Sequence, residues 1–140
     1  MATDQKLELV RSVPMFCRLG RSEQEQVAGL LDEVDVPAGR VLMRQGDPGR
    51  EMFIVVSGTF RVDRDGRQIA ERGPGSVLGE ISLISEGPRT ATITASSPAR
   101  LLVAGHREFH DLMDGHPAVK MQVLEGLAEK VRVLESDGLH

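Results

Sequence analysis

Apolar positions change their period twice along this chain of 140 residues. Near the N-terminus, Leu7, Leu9 and Val10 mark a helical segment over residues 6–11. Ser22 followed by Glu25 has the spacing of a capping box and predicts a second helix through residue 31. From residue 34 to 103 the pattern turns to short β-branched runs broken by glycine. It predicts strands at 41–43, 52–56, 60–62, 68–70, 90–95 and 101–103. Turn signals at 37–39, 46–49, 57–58, 65–66 and 73–75 have the spacing of a compact antiparallel barrel or sandwich, and Asp65-Gly66 is a hairpin dipeptide. Helical periodicity returns at 107–114. Pro117 then suits the first turn of a last helix, along which Leu124, Leu127, Val131 and Leu134 repeat three and four apart.

Size and composition narrow the classes. The length fits one domain with a core large enough to fold without staples. A content of 40% hydrophobic and 27% charged residues is ordinary for a globular chain. A single cysteine, Cys17, permits no internal disulfide, which suits a reducing compartment, and is expected to be a small buried residue near the first helices. No signal peptide is visible, and the longest apolar run, 52–56, is far too short to span a bilayer, so a cytoplasmic chain without a membrane partner is expected. Four Phe with no Trp or Tyr leave few stacking platforms, and a net charge of −4 argues against a phosphate-backbone footprint. Nucleic acid is not an expected partner of this chain.

The chemistry gathers in residues 78–93, LGEISLISEGPRTATI. A helix starting at Glu80 would turn free N–H groups and its positive dipole end toward an anion. Arg89 can close on the same anion, and a planar guanidinium suits a phosphate with two free oxygens. Gly79 keeps the backbone bare where a ligand comes close, and Gly87-Pro88 returns the chain just before Arg89. A carboxylate repels phosphate, so Glu80 is better matched to a hydroxyl pair such as a ribose. Phosphate with ribose means a nucleotide.

The order Gly-Glu-aliphatic-small-Leu, a short variable stretch, then Pro-Arg-Thr-Ala-Thr resembles the phosphate-binding cassette of cyclic nucleotide-binding domains. That family includes kinase regulatory subunits, cyclic nucleotide-gated channels and catabolite-activator-type regulators. The resemblance extends over VPMFCRLGRSE, AGRVLMRQGDPGREMFIVVSGTFRV, the GPGS turn and a closing helix after His116-Pro117. It implies a mainly β fold with flanking helices in one domain over 1–140. Helices would fill about 1–33, an antiparallel jelly-roll-like β-barrel with its short cassette helix 34–105, and C-terminal lid helices 106–135. It gives Glu80 the ribose 2′-hydroxyl and Arg89 the cyclic phosphate, with backbone groups near Ile81, Ser82 and Ala91 completing the cradle. Thr90 stands where members carry Ala or Thr and leaves cAMP and cGMP both open. Leu78, where a Phe usually precedes Gly-Glu, keeps an apolar backing, and Val62 joins the ligand-binding set. Arg72, at a usually aliphatic position, is expected to meet the base edge or point to solvent. Leu83 resembles a hinge contact linking the cassette to the last helix, with a plain core leucine as the alternative.

The resemblance therefore implies a non-enzymatic sensor, with a cyclic purine mononucleotide as ligand, no further cofactor, and movement of the C-terminal helix on binding. The last apolar stripe serves packing against the strands, a lid over the base or a homodimer seam. Gly73, Gly75 and Gly79 do not make a dinucleotide fingerprint, because the last spacing is wrong and no βαβ unit surrounds them. A cupin-type metal enzyme would need histidines converging from strands. His106, His110, His116 and His140 all follow the predicted strands. No nucleophile, acid and base set is evident. The chain ends where DNA-reading relatives add a helix-turn-helix, so DNA binding is not expected. The alternatives are a degenerate, non-binding interaction domain and a regulatory fragment of a larger channel, kinase or transcription regulator with an effector the sequence does not name.

Overall fold

A computed structural model describes residues 2–80 and 87–136. The elements run α1 (Thr3–Ser12), α2 (Arg21–Gly29), β1 (Asp32–Val36), β2 (Val41–Met43), β3 (Pro48–Gly49), β4 (Glu51–Ser57), β5 (Phe60–Arg64), β6 (Arg67–Arg72), β7 (Val77–Leu78), β8 (Gly87–Pro88), β9 (Thr92–Ala95), β10 (Ala99–Gly105), α3 (His106–Gly115) and α4 (Pro117–Ser136). They form two compact units, Met1–Leu30 with His110–His140, and Leu31–Phe109.

In the unit of residues 31–109 the strands pair antiparallel in two four-stranded sheets, ordered β1-β10-β4-β7 and β2-β9-β5-β6, with a two-stranded ribbon β3-β8 beside them. This is a jelly-roll-like arrangement of two sheets rather than one closed barrel. One cluster lies between the sheets: Val36, Phe53, Val55, Leu78, Ala99 and Leu101 from the first meet Met43, Phe60, Val62, Ile93 and Ala95 from the second, with Ala91 beside them. Period-two alternation produces the second sheet, since Phe60 and Val62 are buried while Arg61 is exposed. The turn between β5 and β6 is the expected Asp65-Gly66, with φ of 53° and 79°, the two positive values a tight primed hairpin turn demands.

In the helical unit, three expectations are corrected. The capping box at Ser22 does not form: Gly20 is the N-cap of α2, and Glu25 pairs with Arg21 at 3.0 Å on the exposed face instead. Cys17 is exposed, its Sγ–H donating to the Pro14 carbonyl at 3.2 Å, because the turn after α1 buries Val13, Met15, Phe16 and Leu19. The buried face of α4 runs through Val119, Val123 and Gly126, while Leu124 is 42% exposed. The shift follows from close approach. A Cβ at Gly126 would stand 2.5 Å from Met15 Cα and 2.8 Å from the Pro14 carbonyl, so the bare glycine faces that turn. Arg18 lies beside the same turn and reaches Glu125 and Glu129 of α4 at 3.3 and 3.4 Å. The side chains of Val131 and Leu134 lie outside the described residues.

Candidate functional site

Two chain segments meet where the sheets end. Leu78 pairs with Phe53 at the edge of the first sheet and is buried. The next residue, Gly79, turns to φ +73°, a conformation that L side chains disfavour. Arg89 arrives from the other segment. Its main chain exchanges two bonds with the loop after β2, Gly46 N–H to the Arg89 carbonyl at 2.8 Å and Arg89 N–H to the Asp47 carbonyl at 2.7 Å. The β3-β8 ribbon, Pro48 opposite Pro88 and Gly49 opposite Gly87, continues the same pairing.

The Arg89 guanidinium lies against Gly79. A Cβ on that glycine would collide with Nη1, and would stand 3.1 Å from the Glu51 carbonyl oxygen. Nη2 donates to that carbonyl at 2.9 Å. The bare Cα of Gly79 is therefore what admits the guanidinium. Partial burial lowers the Arg89 pKa, and the Glu51 carboxylate pulls it back up. The group stays a cation at physiological pH. An anion arriving here recovers the interaction that desolvation takes from the charge.

The other residues expected at the site fall in different surroundings. Glu80 follows Gly79 and is half-buried. Thr90 is exposed and Ala91 is buried, and both precede β9. Val62, Leu78 and Ala91 share the inter-sheet core. Arg72 ends β6 opposite Phe60 and is exposed, with Nη1 donating to the Glu71 carbonyl at 3.3 Å. Ile81, Ser82 and Leu83, and with them the expected cassette helix, lie outside the described residues. The structure thus joins Gly79 to Arg89 directly, and carries Thr90 and Ala91 on from it.

Sequence reasoning missed Glu51, whose hydrogen bond to Arg89 comes from a main-chain carbonyl that leaves no trace in residue type, and whose carboxylate adds a favourable charge beside the guanidinium. It also missed Gln45 and Arg64, polar residues beside turns. Gln45 N–H donates to Thr92 Oγ1 at 2.9 Å, and Arg64 Nε–H to the Thr90 carbonyl at 3.1 Å. Among the described residues, no group of three His, Cys, Asp or Glu side chains is placed to hold a metal, and no helix is long and apolar enough to cross a membrane.

Comparison with known proteins bears on the same segments. The family model described as "Cyclic nucleotide-binding domain" matches residues 33–116. A cyclic nucleotide-gated potassium channel of Mesorhizobium japonicum is 38% identical over 112 residues, 80% of this chain and 31% of the channel. The chain spans about a third of the length of the curated channels it matches. Among solved structures, the N-terminal domain of a transcriptional regulator from Streptomyces coelicolor A3(2) superposes with a TM-score of 0.80 at 32% identity, covering 91% of this chain and 95% of that one. The regulatory domain of Toxoplasma gondii PKA, co-crystallised with cAMP, gives a TM-score of 0.74 at 30% identity over 79% of this chain and 44% of its own. With its two-sheet fold, its Gly79–Arg89 contact and a match across most of the strands, this chain belongs to the cyclic nucleotide-binding domain family.

Proposed function

We propose that the chain is a non-enzymatic sensor domain whose ligand is a cyclic purine mononucleotide. The observation that carries this reading is the half-buried Arg89 guanidinium, seated on the Glu51 carbonyl against a glycine that leaves it room. Its planar fork can donate to two oxygens of a cyclic phosphate. In this reading Glu80 accepts from the ribose 2′-hydroxyl, and main-chain N–H groups around Ile81, Ser82 and Ala91 complete the phosphate cradle. Val62 and Leu78 back the ligand from the apolar core, while Thr90 and Arg72 stand as candidates for the base. The ligand is the only small molecule required. The Toxoplasma relative's cAMP makes cAMP the first candidate, with cGMP as the second. The C-terminal helix would carry the signal onward to an effector, or to a second copy.

The ribose assignment has a direct test. Glu80→Ala should weaken binding of the ribonucleotide by roughly 1.5–3 kcal/mol, as expected for losing a hydrogen bond to a charged group, and should weaken the 2′-deoxy analogue much less. Equal losses for the two ligands in calorimetric titration would remove the ribose role from Glu80.

A further inference from the structure

Side chains take over where the ladder of the second sheet stops. The last pair between β5 and β9 is Asp63 opposite Thr92, so Arg89, Thr90 and Ala91 approach β9 from beyond the sheet. On the β2 side, Gly46 and Asp47 bond the Arg89 main chain, and Gln45 N–H holds Thr92 Oγ1. On the β5 side, Arg64 reaches out from the last position of the strand to the Thr90 carbonyl at 3.1 Å. Its turn is braced in both directions. Gln45 Nε2–H donates to Asp65 Oδ1 at 2.8 Å, and Asp65 N–H donates to Gln45 Oε1 at 2.9 Å. In a sheet ordered β2-β9-β5-β6, this pair ties the ends of the two neighbours of β9, β2 and β5, together across it.

We infer that Arg64 is a positioning residue for the anion site, acting through the planarity of one peptide. The Thr90 carbonyl and the Ala91 N–H belong to the same trans unit and point in opposite directions. Fixing the carbonyl on one side therefore aims the N–H on the other. The donor is charged, so it also polarises that peptide and makes the Ala91 N–H a stronger donor. Arg64 thus orients and activates one donor of the proposed phosphate cradle without touching the ligand. This inference rests on the cyclic-nucleotide reading.

Two isosteres separate the bond from the charge. In Arg64→Met a methyl carbon stands as many bonds from the backbone as Nε, and no donor remains. In Arg64→Gln an amide nitrogen stands there, so a neutral donor is kept. Titration with cAMP should show Arg64→Met weakened about three- to tenfold, as expected for losing one hydrogen bond, and Arg64→Gln, which keeps the bond and loses the charge, weakened by less. The two phosphorothioate diastereomers of cAMP should also change their affinity ratio in Arg64→Met, because one phosphate oxygen loses an aimed donor. A purely structural defect would weaken both diastereomers and cAMP by one common factor. In ligand-free protein the Ala91 amide resonance should move most in Arg64→Met and less in Arg64→Gln.

Unchanged affinity in Arg64→Met would overturn the inference, as would equal losses in the Met and Gln variants or one common factor for all three ligands. If the unaltered chain bound no cyclic nucleotide, the cyclic-nucleotide reading would fall and the ligand role of Arg64 with it. The Ala91 resonance would still report, independently of ligand, whether Arg64 sets that peptide.

Discussion

The two sheets of residues 31–109 bury their strands in different ways. In β4, Met52, Phe53, Ile54 and Val55 are all buried, so neighbours pointing to opposite faces are equally enclosed. In β5 the burial alternates, and β6 is exposed along nearly its whole length, with a register shift opposite the step from Val62 to Asp63. The second sheet thus keeps one face in water, and its strand ends carry Gln45, Arg64, Asp65 and Thr92, which can bond sideways because no core claims them. The segment bearing Arg89 is held by those ends. The sheet with one wet face supplies side-chain fixtures to this segment, whereas the enclosed strand β4 contributes the main-chain carbonyl of Glu51 at its first position.

Substitutions at adjacent positions should expose this contrast most forcefully. In the first sheet, Phe53→Ala and Ile54→Ala should each destabilise the fold, by about 3–5 and about 2–5 kcal/mol, although they sit on opposite faces. In the second, Phe60→Ala should cost about 3–5 kcal/mol, while Arg61→Ala next to it should stay within about 0.5 kcal/mol. Denaturant unfolding reads all four. A large loss for Arg61→Ala would mean that the outer face of the second sheet is packed after all.

A smaller effect is expected at the site, and it should appear in binding. Arg89→Ala should weaken cyclic-nucleotide binding by roughly 1.5–3 kcal/mol or more. Unaltered affinity in a titration would dissociate the Gly79–Arg89 contact from function. Gly79→Ala should be smaller again. Forcing a side chain into the left-handed region costs about 1–2 kcal/mol of stability, and the new methyl would displace the guanidinium from its place beside Glu51. A melting curve and a titration on the same sample would show both losses; normal binding by this variant would mean that the guanidinium does not need the glycine.

Much of this fold is legible in the sequence because β-branched runs and turn dipeptides are local signals. They locate β2, β4, β5, β6, β9 and β10 and the Asp65-Gly66 turn. Strand β1 carries no such signal. Its DEVDV mixes acids with valines, and it is defined by its pairing with β10 and by Arg100, which bonds Asp35 at 2.8 Å and Glu33 at 3.1 Å. The two-residue strands exist only through their partners. Helix faces are harder, since periodicity gives a stripe but not which side of it packs. Gly126 moves the buried face of α4 by close approach to the turn at Pro14 and Met15, and periodicity overlooks it because a glycine counts as neither apolar nor polar. At the site, Gly79 and Arg89 can be read from a motif, whereas the Glu51 carbonyl and the Arg64 bond arise from tertiary geometry that no neighbouring residue announces.

The functional reading stands or falls on whether the Arg89 segment receives a cyclic phosphate. Calorimetric titration of the purified chain with cAMP, cGMP and the corresponding linear 5′-monophosphates decides this. Saturable binding of at least one cyclic nucleotide is expected, with much weaker binding of its linear counterpart. No binding by any of them, or equal binding of cyclic and linear forms, would contradict it.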